Sequence, residues 1–130
     1  MQTTEFIQTI RERAEYADDD QARSAAQATL TTLGRMRLKG EIDDSAAQLP
    51  REMAELIFAA DADPENFSAA QFVEQVREAL KIESTDDATN AVRAVLSTLA
   101  EALTPGQMGE LMAQLPDEYA AFMRNKTPEL

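Results

Sequence analysis

"AQLPREMAELI", Ala47 to Ile57, and "AQLPDEYAAFM", Ala113 to Met123, stand 66 residues apart in the same chain. Both write Ala-Gln-Leu-Pro, a gap of one, Glu, and then an apolar tail. Proline removes a backbone donor and pushes the residue before it away from helical geometry, so a helix running into Leu49 or Leu115 must stop there. Just past the proline a new helix can begin, with Glu52 or Glu118 near its positive end. Leu49, Met53, Leu56 and Ile57 in the first stretch, and Tyr119, Phe122 and Met123 in the second, then point inward. Each stretch is a corner between two helices.

The same shift works outward from the corners. From Phe6 to Ile57 against Phe72 to Met123 no gap is needed, and 17 of the 52 pairs are identical. The identities include Phe6 with Phe72, Arg11 with Arg77, Leu30 with Leu96, Leu33 with Leu99 and Gly40 with Gly106. Such a match marks an internal duplication. Residues 6–57 form repeat 1 and residues 72–123 repeat 2. A polar, proline-containing linker joins them at 58–67, and a short tail covers 124–130.

Each copy reads as helices. Ser68 with Gln71 has the spacing of a capping box, and Phe72, Val73, Val76 and Leu80 follow at helical period. Thr85 is expected to cap the next helix, with Asp86 and Asp87 in its first turn. Ala88, Ala91, Val92, Val95, Leu96, Leu99 and Leu103 line that helix. Thr104-Pro105-Gly106-Gln107 restarts the chain as a further helix lined by Met108, Leu111, Met112 and Leu115. The expected fold is all-α: two tandem copies of a three-to-four-helix unit, about eight helices in all, packed as one bundle-like domain over residues 1–130 with a pseudo-twofold repeat.

Paired blocks of this kind resemble the bacterial family known as domain of unknown function 2267. The resemblance rests on Ala91-Val92-Arg93-Ala94-Val95-Leu96-Ser97-Thr98-Leu99, then Leu103-Thr104-Pro105-Gly106, then Gln114-Leu115-Pro116. Copy one follows more loosely, with Ala28-Thr29-Leu30-Thr31-Thr32-Leu33 and Gln48-Leu49-Pro50. It implies a small, all-helical, two-repeat protein and carries over no activity. Members often follow the first corner with Gly-Trp, where this chain has Phe58-Ala59-Ala60-Asp61, so no role of that tryptophan transfers.

Composition narrows the function. The 130 residues hold 12 Lys and Arg against 24 Asp and Glu, a formal charge of -12, and no His or Cys. An acidic chain repels nucleic acid and anionic lipid, whose binding needs clustered cations. Without His and Cys the commonest general base and the thiol nucleophile are both missing. The glycines are scattered at Gly34, Gly40, Gly106 and Gly109, so no phosphate loop is present. Asp61 to Asn66 imitates the start of a calcium loop, but its sixth place lacks glycine and its twelfth is Phe72. No enzyme activity, cofactor or metal site is expected. The start, MQTTEFIQTIRER, lacks the basic and apolar regions of a secretory signal, and no apolar run is long enough to span a bilayer. A cytoplasmic location is the expectation.

One charge run stands out. From Ala94 to Met123 there is no Lys or Arg, while Glu101, Glu110, Asp117 and Glu118 lie within it beside Met108, Met112 and Met123. Copy one instead ends its second helix with Arg35, Arg37 and Lys39. Glu101, Met108, Glu110, Met112, Asp117 and Glu118 are the candidate interaction face of a non-enzymatic protein-interaction module. The partner it suits is a basic or amphipathic helix, or a second copy of the chain joined head to tail. The alternative is a carboxylate-only metal-binding protein, or an enzyme using a carboxylate pair.

Overall fold

The computed structural model describes residues 1–36, 49–58 and 66–123. Seven α-helices occur there: α1 (Thr3–Ala14), α2 (Asp19–Met36), α3 (Arg51–Phe58), α4 (Ala69–Leu80), α5 (Thr85–Ala102), α6 (Pro105–Gln114) and α7 (Ala120–Met123). A 3-10 turn, Asp117–Tyr119, precedes α7, and no strand is found among the described residues. The fold is all-helical. Lys39, Arg37, Gly40 and Gln48, most of the linker and the tail lie outside the described residues.

Local chemistry starts and stops these helices. The Ser68 hydroxyl accepts from the Gln71 amide at 3.1 Å while the Gln71 side chain accepts from the Ser68 amide at 2.9 Å, the reciprocal box expected for α4. The Glu5 carboxylate accepts from the Gln2 amide at 3.2 Å at the start of α1. Thr85 is not the cap of α5. The chain turns helical one residue sooner, so extended Ser84 is the cap and its hydroxyl accepts from the Asp87 amide at 3.1 Å. Thr104 caps α6 as expected, accepting from the Gln107 amide, with Pro105 in the first turn.

Two helices stop without glycine. Glu15 (φ 61°) and Lys81 (φ 57°) adopt left-handed geometry after α1 and α4. The next amide in each case, Tyr16 or Ile82, bonds back to the carbonyl of Arg11 or Arg77, closing a Schellman turn. Arg77 adds a bond to the Ile82 carbonyl at 3.2 Å and pairs with Glu74 at 2.8 Å, which holds the Glu74 carboxyl below its ordinary range.

The prolines behave as corner residues. Pro50 immediately precedes α3, and its carbonyl accepts from the Met53 and Ala54 amides. Pro116 precedes the 3-10 turn rather than a full α-helix, so the second corner is tighter than expected. Leu49, Met53 and Ile57, and Leu115, Tyr119 and Phe122, all enter the core, with Leu56 and Met123 half-buried against it.

The long helices α2 and α5 pack against each other. Helix α1 packs on α2 and α5, and α4 packs on α5 and α2; α3 lies on α2, and α7 on α5. Phe6, Ile10, Leu30, Leu33, Phe72, Val76, Val92, Val95, Leu96 and Leu99 fill the space between them, each almost fully buried. Gly34 lets α2 and α3 approach closely, because a Cβ there would run into the carbonyl of Ile57. Tyr119 is fully buried, with its ring edge-on to Phe72 and Phe122, and its hydroxyl donates to the Phe67 carbonyl at 2.7 Å. Phe67, at the end of the stretch read as a linker, is itself part of the core.

Candidate functional site

Helix α6 carries two of the carboxylate-rich region's methionines. Its inner face buries Leu111, while Met108 and Met112 are half-buried against the core. Gly106, Gly109, Glu110 and Ala113 are exposed, and their spacing puts them on one side of the helix. Among the described residues, and apart from the neighbouring residues and backbone of α6 itself, no atom lies within 4 Å of the place a Cβ would take at Gly106 or Gly109. No broad interhelical packing holds α6 among the described residues. Asp117 and Glu118 follow, both exposed, in the 3-10 turn, and Met123 is half-buried in α7.

Glu101 is engaged elsewhere. Its carboxylate accepts from Arg13, reaching across from α1, at 2.6 Å. The same guanidinium donates to the Ser97 and Thr98 hydroxyls at 3.1 and 3.5 Å. Those hydroxyls in turn donate to the Ala94 carbonyl, at 3.3 and 2.7 Å, so their oxygens are oriented to accept. A glutamate at a helix C-terminus opposes the dipole, and Arg13 compensates it. Sequence reasoning missed Arg13, because a lone arginine in an amphipathic helix carries no mark of a partner 88 residues on.

Cavities opening on the surface among the described residues include three. One, of about 380 Å³, lies between α2 and α4 and is lined by Ser24, Gln27, Thr31, Thr32, Arg35, Gln75 and Ala79 among others. The Arg35 guanidinium donates to the Gln75 side-chain oxygen at 3.0 Å and stands 5.1 Å over the Phe67 ring. A second, of about 400 Å³, sits where α1 and α4 end, between Tyr16, Gln21, Ile82, Asp87 and Asn90. Burial, and then the charge of Asp87, raise the Tyr16 phenol above its usual range. A third, of about 300 Å³, is mainly apolar and lies by Val73, Thr89 and Phe122.

Among the described residues no group of three or more acidic side chains is arranged to hold a metal ion. The calcium-loop imitation, apart from Asn66, lies outside them. No described helix is long and apolar enough to cross a membrane. No curated protein matches the chain. A family model described as "Uncharacterized conserved protein (DUF2267)" matches residues 3–122.

Proposed function

For a chain that belongs to the DUF2267 family, we propose a non-enzymatic, cytoplasmic interaction module built from two helical repeats, whose α6 face receives a basic amphipathic helix. Helices α1 and α4 begin and end 66 residues apart, as do α2 and α5, and so do the left-handed caps Glu15 and Lys81. The packing of α1 on α5 has its counterpart in that of α4 on α2, with α2 against α5 between them. These correspondences support a pseudo-twofold arrangement.

The observation that carries the partner surface is the bare side of α6. Glycine within a helix costs roughly 0.5–1 kcal/mol relative to alanine, and nothing among the described residues requires Gly109. A partner backbone approaching closely would require it. Exposed Glu110, Asp117 and Glu118 supply negative charge there, and the half-buried Met108 and Met112 supply adaptable apolar surface.

Pull-down at low and high salt, with the parent and a Glu110→Lys/Glu118→Lys variant, tests the face. A basic helical partner held by the parent at low salt should be lost both at high salt and on charge reversal. Gly109→Ala should stabilise the fold while weakening capture. Equal recovery by the parent and the charge-reversed variant would sink the proposal. Sedimentation of the pure protein would show whether the partner is a second copy.

A further inference from the structure

We propose that the cavity where α1 and α4 end is a binding site for a primary ammonium carried on a short aliphatic stem. Its walls are built from the same sequence positions used twice. Eight of the nine described residues lining it fall into four pairs 66 apart, among them Tyr16 with Ile82, Gln21 with Asp87 and Ser24 with Asn90. On the two-repeat reading above, the cavity lies at the axis relating the copies. Any difference between its walls then comes from substitution within a pair. The α5 wall holds Asp87 where the α2 wall holds neutral Gln21, and Glu15 lines the cavity while its counterpart Lys81 does not. Both differences favour a cationic occupant.

The groups on the α5 wall fit the head of that occupant. Asp87 and Asn90 stand three residues apart, on one face of the helix. The Asp87 carboxylate makes no hydrogen bond or ion pair among the described residues. The Asn90 amide nitrogen donates to the Ala14 carbonyl at 2.9 Å, which leaves its side-chain oxygen as an acceptor. One helical turn therefore presents carboxylate and amide oxygens, and a primary ammonium brings three donors to them. On the facing wall the Gln21 side-chain oxygen accepts from the Ala17 amide at 2.8 Å, so its amide nitrogen, a donor, is what remains. The charged end of the ligand accordingly lies toward α5. Tyr16 brings an aromatic ring, whose face attracts a cation, and its phenol already responds to the charge of Asp87. Ala14, Leu80 and Ile82 add apolar surface for the stem. About 400 Å³ lies within the range of small-molecule sites.

The test titrates the full chain with butylammonium, with a lysine capped as its N-acetyl methylamide, with 1-butanol and with potassium ion, following backbone amide shifts. Saturable shifts at Tyr16, Asp87 and Asn90 are expected with at least one of the two amines. Asp87→Asn, which keeps the shape and removes the charge, should weaken that binding at least tenfold. Asp86→Asn removes the same charge from the adjacent exposed position, which does not line the cavity, and should leave the binding unchanged. Binding of butylammonium alone would point to a free amine, and of the capped lysine alone to a lysine side chain of another protein. Absence of saturable shifts with both amines would overturn the assignment, as would equal binding of butanol or potassium. So would binding that Asp87→Asn leaves intact, or that Asp86→Asn weakens equally. Charge reversal at Glu110 and Glu118 leaves every one of these outcomes unaffected, so failure here is separable from failure of the α6 face.

Discussion

Thr29 is fully buried in α2, and its hydroxyl finds no partner among the described residues. The residue 66 positions on is the equally buried Val95. An unsatisfied buried hydroxyl costs about 1–3 kcal/mol, so Thr29→Val, which keeps the shape, should stabilise the protein by about 1 kcal/mol in urea unfolding. An unchanged or lower midpoint would contradict the assignment. Gly34→Ala should do the opposite. Its Cβ would press on the Ile57 backbone, and overpacking of that kind costs about 1–3 kcal/mol. Tyr119 adds a pH dependence. Burial and then Glu118 raise its phenol well above the usual 10.0, so the unfolded chain releases its proton first. Its stabilising contribution is complete below pH 10 and is lost as pH climbs through the folded-state value. Alkaline unfolding should therefore be blunted in Tyr119→Phe, which also gives up the bond to the Phe67 carbonyl. The inward position of Tyr119 was legible from its place after a proline corner. The clash at Gly34 and the idle hydroxyl of Thr29 were not, since both depend on which backbone or side chain arrives from elsewhere.

Helix boundaries divide along the same line. The starts at Ser68 and Thr104 follow from hydroxyls three residues before an amide they can accept from, and so were readable in advance. Ser84 and Thr85 are adjacent and both capable, and only the backbone angle chose between them. The stops at Glu15 and Lys81 carried no glycine signal. A non-glycine residue in left-handed geometry is held there by the Schellman bonds and by half-buried Tyr16 or Ile82 beyond it. Lys81→Gly should consequently raise stability by about 0.5–1 kcal/mol, read as a higher melting temperature in calorimetry. A fall would mean that the lysine side chain contributes more than its backbone strain removes.

For the whole molecule, the hydropathy period identifies which face of α1 is apolar but not which helix covers it. That helix is α5 as well as α2, and α4 reaches back to α2 in the same way. Fragments 1–65 and 66–130 should each lack a cooperative transition, and mixing them should restore helical circular dichroism, because each leaves half of a shared core open. A fragment that melts as late as the full chain would refute the shared core. This packing between the two halves also sets a clock on synthesis. Arg13 and Glu101 are 88 residues apart, and ribosomes add about 5–20 residues per second, so α1 waits roughly 4–18 s for its second covering helix to be made. During that interval the side of α1 that packs on α5 stays uncovered, and the nascent chain offers an apolar edge to chaperones.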